Sequence, residues 1–147
     1  MPETETWFRF FNEVGIIEQL SRALLEARLP APYIAPHFAV LNHLMRVGDG
    51  RTPLELATAF QLPKTTMTHT LAGLERGALV EMRPNPDDGR SKRVWITGAG
   101  RAFREEAIAG LGPDIARLSA RIAPETVAAL VEPLAEIRRL LDEDRDR

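Results

Sequence analysis

One ordered stretch constrains this chain more than any other. From Leu54 to Thr97 it reads LELATAF, QLP, KTTMTHTLAGLERGA, LVEMRPN, PDDGRSK and RVWIT. A short helix leads through a tight turn into a second helix with a polar face, and a hairpin with a charged loop follows directly. That order predicts a winged helix-turn-helix, in which a small domain offers one helix to a DNA major groove and a loop to the flanking backbone.

The rest of the chain is consistent with a mainly α protein carrying one small β-hairpin. Trp7, Phe10, Phe11, Val14, Ile17, Leu20 and Leu24 recur at helical spacing and predict a first helix over residues 6–28. Apolar residues also stand at Phe8, Ile16, Ala23 and Leu25, so the stripe is wider than one core contact needs. A second buried contact, such as another subunit, would account for it. Pro30, Pro32 and Pro36 end this helix and open the next, expected to about Arg46 with Phe38, Leu41, Leu44 and Met45 inward.

Thr52, Pro53 and Glu55 form the pattern of a capping box for a short third helix to about Phe60. The fourth helix runs from about Pro63 or Lys64 to Gly77, with Met67, Leu71 and Leu74 inward. Leu79–Arg83 and Arg93–Thr97 alternate as two strands, joined by a loop rich in turn residues. Thr97 then caps a long fifth helix to about Ile122, interrupted at Gly112-Pro113. Pro124 opens a sixth to about Asp142, with a bend expected at Pro133.

Composition bounds the function classes. The 147 residues contain no Cys, which excludes disulfides, thiolate catalysis and Cys-rich zinc sites. No apolar run reaches membrane-spanning length, and the acidic start MPETETWFRFFNE lacks the basic segment of a signal peptide, so a cytoplasmic protein is expected. The formal net charge is −2. Its distribution is uneven: residues 51–97 hold seven Lys and Arg against five Asp and Glu, while both flanks are net acidic. The positive surplus falls on the segment proposed to meet phosphates.

The candidate DNA-contacting set follows from that segment. Lys64, Thr65, Thr66, Thr68 and His69 lie outward on the first two turns of the fourth helix, where hydroxyls reach base edges or phosphates. Arg90, Lys92 and Arg93 belong to the hairpin loop and its second strand, suited to phosphates or the minor groove. Arg51 and Thr52, at the entry to the third helix, join this set. The bland alternative is a solvated helix face and an ordinary hairpin tip partly neutralised by Asp87 and Asp88.

These residues carry a resemblance. The chain resembles the multiple-antibiotic-resistance regulator (MarR) family of transcription regulators. It shows FxVLxxL from Phe38, eLA at Glu55–Ala57, TxTxxLxxLE from Thr66, and DGRSKRVWITGAGR from Asp88 to Arg101. The last matches the family's wing signature D-x-R-S-K-x-V-x-h-T-x-x-G-R. Order and spacing agree over about residues 8–142. The resemblance implies one chain over residues 1–147, a DNA-binding lobe at 36–97, and a helical dimerisation region at 6–30 and 98–144. It implies an obligate homodimer on a near-palindromic double-stranded operator, with Arg90 in the minor groove and Asp88 orienting it. His69 departs from the Arg usual at that position, Pro63 from the polar cap, and Ala78 from the Gly before the strand.

The resemblance further implies a repressor released by a small, anionic aromatic ligand held between the dimer helices and the DNA-binding lobe. Phe11, Arg22, Tyr33 and His37 are the candidates by position. No cofactor is implied. His37 and His43 are six apart with no carboxylate cluster, which disfavours a metal site. No nucleophile–base pair, phosphate loop or paired carboxylates point to an enzyme. The rival reading is a winged-helix protein-interaction module without DNA binding, which the acidic total and His69 favour.

Overall fold

Thr52 shows how local sequence sets the local structure. In a computed structural model, which describes residues 2–147, its hydroxyl accepts the Glu55 N–H at 3.1 Å while the Glu55 carboxylate accepts the Thr52 N–H at 3.4 Å. The box starts helix α3 (Pro53–Phe60) at the expected residue. Before it lie α1 (Glu3–Glu26) and α2 (Ala35–Val47); after it come α4 (Lys64–Arg76), strands β1 (Val80–Pro84) and β2 (Lys92–Ile96), and helices α5 (Gly98–Gly110), α6 (Gly112–Ser119) and α7 (Pro124–Arg145). The chain is therefore mainly α with one hairpin.

The two strands are antiparallel, with Val80 opposite Ile96 and Met82 opposite Val94. Alternation sends Val80, Val94 and Ile96 into the core and leaves Glu81 and Arg83 outside. The segment before α3 adds a third rung. Val94 donates its N–H to the Arg51 carbonyl at 2.8 Å, and its own carbonyl accepts from Gly50 at 2.9 Å. The base of the wing is thus fixed to the start of the helix-turn-helix.

Apolar residues of α2, α3, α4 and the hairpin share one core: Val40, Leu41 and Leu44; Leu56 and Ala57; Met67, Leu71 and Leu74; Leu79, Val80, Val94 and Ile96. Burial of this kind stabilises by about 25 cal/mol per Å² of apolar surface. It locks the outward face of α4 in place. Thr70, the one buried polar residue of α4, is satisfied by donating its hydroxyl to the Thr66 carbonyl at 3.2 Å.

Two compact units divide the chain, one ending at Leu111 and the other spanning Gly112–Arg147. The division falls where the sequence breaks its helical run. Pro113 has no N–H to give, and Gly112 lowers helix stability. The expected long fifth helix is consequently two helices, α5 and α6. Pro133 lies inside α7 without ending it. Neither α1 nor α7 buries any residue, and most of their large apolar side chains stay exposed, Phe8 at 66% and Val131 at 59%, while Phe10, Leu24, Leu25 and Ile137 are half-buried. Among the described residues no helix is long and apolar enough to cross a membrane.

Ala78 carries a testable cost. It stands between α4 and β1 with φ +57, a left-handed conformation that costs a non-glycine residue about 1–2 kcal/mol. Glycine removes that penalty but returns part of it as chain entropy. Ala78→Gly is expected to stabilise the protein by about 0.5–1 kcal/mol in denaturant unfolding. An unchanged or lowered midpoint would show that Ala78 is unstrained.

Candidate nucleic-acid interface

The polar face of α4 and the wing loop meet at one open cleft. It encloses about 630 Å³ and is lined by Thr52, Pro53, Leu54, Lys64, Thr68, Met82, Asn85, Asp88, Arg90, Ser91 and Lys92. Residues separated by up to forty positions in sequence thus face one another across it. Lys64, Arg90 and Lys92 supply positive charge, and Thr68 and Ser91 supply hydroxyls. Leu54 and Met82 give it an apolar floor.

The helix side is simple. α4 starts at Lys64 after Pro63, with no side-chain cap, so its first amides are left for solvent or an anion. Thr65, Thr66, Thr68 and His69 are all exposed. The core contacts of Met67, Leu71 and Leu74 fix which way these side chains face.

The wing is shaped by its own short polar side chains. Asn85 accepts the Asp87 N–H at 3.0 Å and donates its side-chain amide to the Ser91 hydroxyl at 2.9 Å. Asp88 Oδ1 accepts from the Arg90 backbone N–H at 3.0 Å and from Arg90 Nε at 3.4 Å. The Arg90 side chain remains 95% exposed. Asp88 therefore holds Arg90 at the loop tip while leaving its terminal nitrogens available. Arg93 differs: it pairs with Asp87 at 2.8 Å and braces the loop from one side. On the outer face of the hairpin, the Arg83 guanidinium stacks 4.3 Å from the Trp95 ring centroid.

Arg51 is not brought into the cleft. Its guanidinium donates to the Val47 carbonyl at 2.9 Å and the Gly48 carbonyl at 3.4 Å, at the C-terminus of α2. A cation there complements the helix end, which is where a basic side chain of this reach is favoured. Asn85, Ser91, Leu54 and Met82 were not among the candidates from sequence. Asn85 and Ser91 were readable as polar turn residues; the other two look like core positions in one dimension.

A second cavity, of about 320 Å³, lies between the start of α2 and the far end of α4. Pro32, Tyr33, His37, His69, Gly73, Arg76 and Gly77 line it. Two of the four candidate ligand residues, Tyr33 and His37, meet here, with ring centroids 5.4 Å apart and edge to face. Phe11 and Arg22 are not in the lining. Phe11 packs with Trp7 on α1, ring centroids 5.6 Å apart, and Arg22 pairs with Glu18 at 3.5 Å. Arg76 is the cation the sequence reading missed; it lies seven residues after His69, two helical turns along one face of α4. Burial pushes the His37 imidazole below its ordinary value of 6.5, and the nearby His69 and Arg76 act in the same direction.

Comparison with known proteins agrees with this geometry. A sequence profile of the MarR family matches residues 33–91, the span from Tyr33 through the wing tip. A crystal structure of a cysteine-to-serine mutant of MarR from E. coli, complexed with operator DNA, is 25% identical, with a TM-score of 0.66 over 93% of this chain and 99% of that one. The transcriptional regulator BldR from Sulfolobus solfataricus shares the fold at 22% identity, with a TM-score of 0.75 over 95% of this chain and 99% of that chain. So does the regulator PcaV from Streptomyces coelicolor, in complex with its natural ligand, at 21% identity and a TM-score of 0.63 over 88% and 89% of the two chains.

Proposed function

We propose that this chain, a MarR-family winged-helix transcription regulator, binds double-stranded DNA as a homodimer and represses until a small ligand releases it. One observation carries the DNA reading: the uncapped start of α4 and the tip of the wing converge on one cleft, with Lys64, Thr68, Arg90, Ser91 and Lys92 on its walls. A duplex can engage both at once, with α4 in the major groove and Arg90 reaching the adjacent minor groove. Operator DNA on the related MarR of E. coli supports the same assignment.

The exposed apolar faces support dimerisation. Trp7, Phe8, Ile17 and Leu20 on α1 and Leu130, Val131 and Leu140 on α7 are 42–66% exposed, more apolar surface than a lone soluble helix leaves uncovered. A second copy would cover them and set two recognition helices about 34 Å apart on a near-palindromic operator. The ligand site is the cavity of Tyr33, His37, His69 and Arg76. Its aromatic wall and guanidinium suit an aromatic carboxylate, and His69 belongs to both the cavity and the recognition helix, so an occupant there acts on α4 directly.

Selection from a random duplex library, followed by titration at several salt concentrations, tests the reading. A palindromic winner is expected, bound by one dimer. With Lys64 and Lys92 of each subunit on phosphates, log affinity should fall with log salt at a slope of about −4. No enrichment from a folded dimer, or a flat salt response, would favour a winged-helix protein-interaction module instead.

A further inference from the structure

The far end of α4 carries a notch that only glycine leaves open. A Cβ at Gly73 would stand 3.0 Å from His37 Nε2, and one at Gly77 would run into the Tyr33 hydroxyl. The imidazole of His37 and the phenol of Tyr33 therefore lie directly against the recognition helix. Tyr33 is in turn held by Phe103 of α5, ring centroids 5.0 Å apart.

The His37 ring has a defined tautomer. Its Nδ1 accepts the Ile34 backbone N–H at 3.0 Å, at the first turn of α2. That bond uses the Nδ1 lone pair, so the neutral ring carries its proton on Nε2, the atom facing Gly73. A second proton would have to enter on Nδ1, against the Ile34 N–H. It would also place a positive charge beside His69 and Arg76, the titratable and charged groups that α4 turns toward His37. Tyr33 faces it from the preceding loop. Glu26 of α1 is engaged by the Ala35 N–H at 2.8 Å, two residues before His37. No carboxylate lines the cavity among the described residues.

We infer that neutral His37, seated in the Gly73–Gly77 notch of α4, is a positioning residue for the recognition helix, and that its protonation releases the helix from its DNA-reading pose. The inference rests on the DNA-binding reading above for its consequence, though not for the latch itself. Its sign follows from linkage. His37 resists protonation in the docked state, so the undocked state binds the proton more tightly. Docking is fully favoured above the ordinary histidine value and weakens as pH falls below it. His69 is exposed on the same helix, so its own variant separates it from His37.

The test compares wild type, His37→Gln and His69→Gln on one duplex at constant salt between about pH 7.5 and about pH 5.5. Wild-type affinity relative to His37→Gln should fall by about fivefold or more on acidification; the limit for one proton is about tenfold per pH unit. His69→Gln should keep that fall. In DNA-free wild-type protein, the Gly73 and Gly77 amide resonances should move with the His37 ring titration. Parallel pH profiles for wild type and His37→Gln would overturn the inference, as would glycine amides that ignore His37. If the amides follow His37 but no duplex binds at any pH, the latch stands and the DNA reading fails. If His37→Gln does not fold, the wild-type titration decides.

Discussion

Gly100→Ala is expected to destabilise the protein by about 1–3 kcal/mol, whereas Gly98→Ala, two residues earlier in the same helix, is expected to be neutral or to stabilise by up to about 1 kcal/mol. Both substitutions add one methyl group to the first turn of α5, and both gain the helix propensity of alanine. They differ in what the methyl meets. At Gly98 nothing lies within 4 Å. At Gly100 the new Cβ runs into the Leu79 backbone carbonyl and stands 2.8 Å from Ile96 Cγ1. A backbone carbonyl cannot rotate away as a side-chain end can. The same carbonyl accepts the Thr97 N–H at 3.1 Å, so moving it also strains the joint between wing and helix. Thr97 itself donates its hydroxyl to the Ala78 carbonyl at 2.7 Å and accepts the Gly100 N–H at 3.0 Å. Thermal unfolding reads the difference, at roughly 2–4 °C per kcal/mol for a chain of this size. Equal melting temperatures for the two variants would show that the Leu79–Gly100 approach is not tight.

This joint also explains what the one-dimensional pattern meant. The run Thr97-Gly98-Ala99-Gly100 was visible as a motif, and Thr97 as a cap, because a cap is local. Why the second glycine stands there needed the Leu79 carbonyl, twenty-one residues away. The same division holds elsewhere. The Thr52 box, the break at Gly112-Pro113 and the alternation of Val94 and Ile96 are short-range signals and were legible. Arg51 enters the set on its charge, and the Val47 and Gly48 carbonyls that engage it lie only four and three residues back, at the end of α2. Arg76 escaped because its partners are distant in sequence. Nothing near it in sequence names Tyr33 and His37 as neighbours, since the cavity forms where α2 crosses α4. The breadth of the apolar stripe on α1 was legible, and most of its side chains stay exposed in one chain, because hydrophobicity marks a face for burial without saying against what.

Arg90→Ala is expected to cost about 1–3 kcal/mol in affinity for the selected duplex while leaving the unfolding midpoint within about 0.5 kcal/mol of wild type. The two halves of that expectation rest on the same fact. Arg90 is 95% exposed and its contacts in the free protein are with Asp88, so folding gains little from it. Its value lies in being held at the wing tip before DNA arrives, where a pre-positioned cation loses less freedom on binding. Asp88 makes the claim sharper. If it merely dilutes the positive charge of the wing, Asp88→Ala should strengthen binding by removing a repulsion from phosphate. If it orients Arg90, as the bonds from Oδ1 to the Arg90 N–H and Nε imply, Asp88→Ala should weaken binding, and the loss should vanish when Arg90 is already alanine. Titration of the four members of that cycle on one duplex at one salt concentration gives the sign. A strengthened Asp88→Ala protein would mean that the wing binds by net charge alone, and a full-affinity Arg90→Ala protein would take the wing tip out of the DNA interface.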